Sequence, residues 1–153
     1  MSVEHIQNSV NGVIAYLKEN PKDAVSTSPP ITVVMESGLR CRATGDSGQS
    51  VVTDIPLAVG GGGSAPSPGW LSRAALATCD ATRIALLAAE LGIVLDTLEV
   101  ITDSVDDDRG LFGIDNSVRA GSLSIRTRVE IGAAGVSEKV LWEIVDYAVT
   151  HSP

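Results

Sequence analysis

The stretch SPGWLSRAALATCDATRIALLAAELG, Ser67 to Gly92, decides how the rest of the chain folds. Serine caps a helix well, and proline at the first helical position gives up no needed N–H. Ser67-Pro68 therefore opens a helix, and Gly92 ends it. Between Gly69 and Leu91 the apolar residues occupy most of the circumference instead of one stripe. That pattern predicts a helix covered on nearly every side. In its middle stands one cysteine, Cys79. Cysteine is a good small core residue, and by residue chemistry alone Cys79 reads as packing. A reactive thiol must be held as thiolate by a helix N-terminus or a cation. Cys79 lies about three turns into its helix, beyond the reach of the terminal dipole, so activation needs an arginine. Arg83, four residues on, shares its helix face, and Arg40 and Arg42 share one face of a strand. Arg83 reads equally as a side chain reaching to solvent. Pattern leaves packing and chemistry both open.

Outward from this helix the order of elements places the chain in the α+β class. Val3, Ile6, Val10, Val13, Ile14 and Leu17 recur at helical spacing, with Ser2 as N-cap and Asn20-Pro21 as the stop. Residues 1–24 form a separable N-terminal helix and 25–153 the main domain, joined by a Pro/Ser/Thr linker through Pro30. ITVVMESGLRCRATGDSGQSVVTDIP reads as short strands with turns at Ser37-Gly38 and Asp46-Ser47-Gly48. In PLAVGGGGSAPSPG, Pro56 to Gly69, glycine and proline exclude regular structure, and a long loop inside a compact domain is often functional. After the helix come strands at Leu95 to Val105 and Ser122 to Ile131. A final helix runs from about Ser137 to Thr150, with Val140, Leu141, Ile144, Val145 and Ala148 inward.

Composition excludes several classes of function. The 153 residues are 44% hydrophobic and 20% charged, enough for one globular core, yet only 3% aromatic, so aliphatic packing dominates. A net charge of −8 lacks the cationic face that phosphates require and disfavours an anionic membrane surface. No apolar run approaches spanning length and the N-terminus has no signal-peptide core, so the expectation is a cytoplasmic protein. Cys41 and Cys79 make no disulfide framework, and His5 and His151 have no metal-ligand spacing. Neither a metal nor a cofactor is expected.

Three motifs read as plain structure. GDSG, Gly45 to Gly48, resembles a serine-protease fragment, but no histidine base accompanies it and Asp-Ser-Gly between strands is a turn. Asp103, Asp106, Asp107 and Asp108 lack the glycine and terminal glutamate of an EF-hand loop and read as a solvated turn. GGGG, Gly60 to Gly63, lacks the lysine of a phosphate loop and reads as a flexible connection.

The block SPGWLSRAALATC, Ser67 to Cys79, resembles the central helix of the OsmC/Ohr family, the osmotically induced and organic hydroperoxide resistance proteins. In that family a proline-started buried helix carries the peroxidatic cysteine eleven residues after the proline, the spacing of Pro68 and Cys79. A strand ending in Asp54-Ile55-Pro56, the Gly-rich loop, and GIVLDTLEV after the helix extend the resemblance. DDDRGLFGIDNSVRAGSLSIRTRVEI, Asp106 to Ile131, is similar to a subgroup with an additional N-terminal helix. The resemblance implies an antiparallel sheet wrapped around a long buried central helix, in an intertwined homodimer with its sites at the subunit interface. It also implies reduction of organic hydroperoxides by the Cys79 thiolate.

Departures from the family pattern set the terms of the reading. Family peroxidases resolve the sulfenic acid with a second cysteine in a Cys-Pro near the chain end; here Ser152 precedes Pro153, and relatives continue into another strand. The glutamate that follows the helix-starting proline and orients the catalytic arginine is absent, with Gly69 and Trp70 in its place. Arg42 falls where the peroxidases carry that arginine. The resemblance thus implies a one-cysteine hydroperoxide reductase, with Cys79 and Arg42 catalytic and Arg40, Arg83 and Ser152 as supporting candidates. An external thiol must then reduce the sulfenic acid; Cys41 is the internal alternative, with its side chain expected to point away from the Arg40/Arg42 face. The alternatives are a dimer without catalysis that binds a small apolar ligand, and a scaffold with no ligand.

Overall fold

The computed structural model describes residues 2–152, so Pro153 lies outside the described residues. The fold is mixed α+β with antiparallel sheets. The described residues up to Lys18 and those from Arg73 onward gather into one compact unit, and Glu19–Ser72 form a second.

The larger unit holds helix α1, Val3–Glu19, and most of helix α2, Pro68–Glu90. Strands β4, Thr97–Val105, and β5, Ser124–Gly132, are joined by a stretch containing the short helix α3, Asp108–Leu111; helix α4, Glu138–Thr150, follows. The strands pair antiparallel without a slip, from Thr97 opposite Gly132 to Val105 opposite Ser124. Alternation turns Leu98, Val100, Val129 and Ile131 toward a core centred on Ile84, Ile144 and Ala148. On α4, Leu141, Ile144 and Ala148 recur at helical spacing and are buried, and the Ser137 hydroxyl accepts the Val140 N–H at the N-cap. Helix α2 ends as its glycine requires. Gly92 has φ +73°, its N–H reaches the Ala89 carbonyl, and the Ile93 N–H reaches that of Ala88. The amide of Gln7 on α1 donates to the Glu90 carbonyl at 2.8 Å, satisfying a further carbonyl at the end of α2.

The smaller unit holds an antiparallel meander of β1 (Ile31–Ser37), β2 (Arg40–Gly45) and β3 (Ser50–Thr53). Glycines 38 and 48 take positive φ in its two turns, and GDSG is the second of them.

Two expectations need correction. Helix α2 is not covered all round within this chain: only Asp80, Ile84, Ala88 and Ala89 are buried. Within the larger unit the two-stranded sheet and α4 pack against this stripe. The glycine-rich loop is also more ordered than its composition suggests, with a 3-10 turn at Leu57–Val59. Among the described residues no helix is long and apolar enough to cross a membrane.

Ile84 has no exposed surface and touches the centre of the core. Ile84→Ala is expected to cost about 3 kcal/mol in urea denaturation followed by circular dichroism. The exposed Lys139→Ala, which loses only a 3.8 Å surface ion pair, should change stability by less than about 0.5 kcal/mol.

Candidate functional site

The arginines on β2 are organised by a carboxylate that sequence reading missed. Along β1 and β2, Val34 pairs with Arg42 and Met35 with Cys41, but Arg40 pairs with Ser37. Glu36 is therefore the extra residue of a β-bulge, placed between the rows of Arg42 and Arg40. Bulges re-aim side chains in this way. One Glu36 oxygen takes the Arg42 Nε–H at 2.5 Å and the other takes the Arg40 Nε–H at 2.9 Å. The two guanidinium groups, Arg42 first, hold the Glu36 carboxyl below its usual range. Two like charges two residues apart on one strand face repel; a shared carboxylate between them removes that cost and leaves one net positive charge. The clue in the sequence was a carboxylate just before the Ser37-Gly38 turn, across a tight hairpin from both arginines.

A second acid, this one buried, organises the loop. Asp54, 2% exposed, accepts from the backbone N–H groups of Ile55, Gly62 and Ser64 and from the Ser64 hydroxyl. These bonds, those of Ser64 foremost, lower its pKa to about 2. The glycines are there because the chain wraps closely: a Cβ on Gly61 would lie 1.9 Å from the Ile55 carbonyl oxygen, and one on Gly62 2.9 Å from an Asp54 oxygen. The GGGG segment is thus tied down around a carboxylate instead of serving as a flexible connection. Arg40 Nη1 donates to the Ser64 hydroxyl at 2.5 Å, which joins loop and arginine pair into one string. Arg42 Nη1 donates to Ser50 on β3 at 3.2 Å.

Cys79, Arg83 and Ser152 belong to the other unit. Cys79 is free and half-buried on α2. Its neighbour Asp80 lies on the buried stripe with Ile84 and Ala88. The Arg83 guanidinium sits 5.8 Å above the Tyr147 ring, and Tyr147 stacks on His151 with centroids 4.0 Å apart. Arg83 is accordingly engaged with an aromatic face. The Ser152 hydroxyl is buried and has no hydrogen-bond partner among the described residues. Cys41 is also free and half-buried. It lies between two arginines on β2 and so faces the opposite side of the strand from them.

Three of the four acids in the acidic run have local partners. Asp106 accepts from Ser104 and Ser122, Asp107 from Arg109, and Asp103 from Arg126 and Arg128. Arg73 on α2 donates to Ser104 at 3.3 Å and extends this string. No group of three or more potential metal ligands occurs among the described residues.

Comparison with known proteins follows this geometry. The family model described as OsmC-like protein matches residues 61–153, more than half of the chain. Among solved structures, an OsmC-like protein of Mycoplasma pneumoniae is 18% identical with a TM-score of 0.70, over 84% of this chain and 85% of its own. An organic hydroperoxide resistance protein of Legionella pneumophila is 16% identical with a TM-score of 0.58, over 84% and 88%. The organic hydroperoxide resistance protein OhrB of Bacillus subtilis is 20% identical with a TM-score of 0.51, over 81% and 86%. At these identities the likeness is one of fold. No functionally curated protein matches the chain.

Asp54 is ionised in the folded protein down to about pH 2, against an ordinary value of 3.8. A depressed folded-state pKa contributes stability that is present above the unfolded value and lost as pH falls through the folded one. Asp54→Asn is therefore expected to lower the urea midpoint by an amount that is constant above about pH 5 and closes between about pH 4 and about pH 2. A difference that does not change with pH would remove the ionic part of this account.

Proposed function

The chain belongs to the OsmC-like protein family, and from that membership we propose that it reduces organic hydroperoxides with Cys79 as attacking thiolate and Arg42 as the cation that favours its ionised form. The observation that carries this reading is the position of Cys79: a free thiol inside the family-matched region, on α2 but off the buried stripe. A cysteine that served only as core filling belongs with Ile84 and Ala88. The names of the Legionella and Bacillus proteins, which share the fold, support the choice of organic hydroperoxides.

The chemistry balances with groups this chain has and one external reductant. The Cys79 thiolate attacks the terminal oxygen of ROOH, the O–O bond breaks, and the leaving alkoxide takes a proton to become the alcohol. Cys79 is left as sulfenic acid, its sulfur oxidised by two electrons. Ser152 cannot form a disulfide, so two external thiols return the electrons, giving Cys79–SH, water and the external disulfide.

The second copy in the proposed homodimer has surfaces to cover. Ile31, Val33, Val34 and Met35 on β1 are all more than half exposed, an apolar strand with both faces bare. Much of α2 is likewise uncovered. Light scattering after size exclusion is expected to give twice the 15.8 kDa chain mass.

The reading is tested by reacting the reduced protein with cumene hydroperoxide or hydrogen peroxide and trapping sulfenic acid with dimedone. Cys79→Ser should abolish labelling, and Arg42→Ala should slow it by about tenfold or more at neutral pH, as expected when a cation that lowers a thiol pKa by a unit or more is removed. The organic peroxide should react faster. The other reading, a dimer that binds a small apolar ligand without catalysis, is favoured by Ser152 standing where a resolving cysteine would be. Labelling of Cys79 no faster than a free thiol would make it a packing residue and overturn the peroxidase reading.

A further inference from the structure

Resting on that reading, we infer that Glu36 is the positioning residue of the arginine pair, with Arg42 as the arginine that acts and Arg40 as its anchor to the loop. The bulge at Glu36 is the first ground. It places one carboxylate between two guanidinium groups, so that each oxygen holds one Nε. A guanidinium gripped at Nε is anchored at that nitrogen, and its second bond at Nη1, to Ser64 from Arg40 and to Ser50 from Arg42, sets where its outer edge points.

The second ground is the asymmetry between the two arginines. Arg40 is bound on both sides, by Glu36 and by the Ser64 hydroxyl. Ser64 donates its own proton to Asp54, which leaves its lone pair for Arg40 and ends the string on a buried, ionised carboxylate. Arg40 is thus fastened to the folded loop. Arg42 is also held by Glu36, but its other bond is a 3.2 Å contact to Ser50, and its side chain is 43% exposed against 31% for Arg40. Arg42 therefore has a fixed Nε and an outer edge that an incoming anion can take from a serine. The pair carries two positive charges and one negative, so a single charge remains to act. Neither Gly69 nor Trp70 supplies a carboxylate, and Glu36 on β1 does.

The experiment uses the full chain and four variants: Arg42→Ala, Arg40→Ala, Glu36→Gln and Glu36→Asp. Two quantities are read for each. One is the Cys79 thiol pKa, from the pH dependence of iodoacetamide alkylation with Cys41→Ser as background. The other is the rate constant with cumene hydroperoxide at a pH where the thiol is fully ionised. Arg42→Ala should raise the thiol pKa and, because the same cation faces the negative charge that builds on the departing alkoxide oxygen, also lower the rate with the thiol fully ionised. Glu36→Gln removes a negative charge, so charge alone predicts an equal or lower thiol pKa and no loss of rate. Positioning predicts instead that the rate falls by about tenfold while the thiol pKa does not rise, because misdirecting a reacting group costs rate without costing ionisation. Glu36→Asp keeps the charge but is too short to span both Nε atoms, and should also lose rate. Arg40→Ala should lose less than Arg42→Ala.

Full rate in Glu36→Gln, or a loss in Arg40→Ala as large as in Arg42→Ala, would overturn the assignment while leaving the peroxidase reading intact. If Arg42→Ala changes neither quantity, the assignment falls together with the reading it rests on.

Discussion

A carboxylate that is almost wholly buried has to be surrounded by donors, and Asp54 imposes that demand on the smaller unit. An unpaired charge out of water costs several kcal/mol. The chain meets this requirement by folding the segment after β3 back over the acid, so that three backbone N–H groups and one hydroxyl converge on two oxygens. Everything about the loop follows: the need for glycine where the chain passes the Ile55 carbonyl, the placing of Ser64, and the bond from Ser64 to Arg40. From Arg40 the same string runs through Glu36 to Arg42. A buried charge at a strand end thereby sets where a pair of cations on a neighbouring strand can point.

The larger unit is governed by a shortage of covering surface. Two strands and one helix bury the stripe of α2 that carries Ile84 and Ala88, and the centre they form is small and aliphatic. Leu98, Val100, Val129 and Ile131 fill one end of the sheet face. Farther along, Thr102 pairs with Thr127, and the Arg73–Ser104–Asp106 string follows. The change from apolar to polar along one sheet face matches the change along α2 from Ile84 to Asp80 to Arg73. Cys79 lies beside that polar end in sequence and off the buried stripe. The apolar residues of β1 and much of α2 remain exposed.

Much of this was legible in the residues. Helical periodicity marked α1 and α4 within a residue or two, the Ser67-Pro68 and Gly92 signals bounded α2, and turn chemistry divided the first sheet into three strands. The acidic run, read as a solvated turn, is in part strand: Asp103 lies on β4 opposite Arg126, and Asp106 and Asp107 bond to nearby serines and an arginine. The block from Ser67 to Cys79 resembles the central helix of the OsmC/Ohr family, and the OsmC-like family model matches residues 61–153. Less legible were the acids that matter most. Glu36 carries no signal of its own in the sequence, since a bulge depends on how two strands register and not on either strand alone. Asp54 looked like an ordinary strand end, since its burial depends on a loop that returns from eight to ten residues later.

What the sequence by itself determined about this protein are properties of single segments: helix ends, strand periodicity, turns, and a cysteine eleven residues after a helix-starting proline. These rest on local backbone preferences and on which face of an element is apolar, and both are written in consecutive residues. Only the tertiary structure decided that Glu36 stands between two arginines, that the glycine-rich loop is organised by a carboxylate, that Arg83 lies on Tyr147, and that α2 is covered on one side within the chain. Each depends on where a side chain meets a group distant in sequence or in register. Burial and pairing between segments are settled by packing, to which no single segment holds the answer.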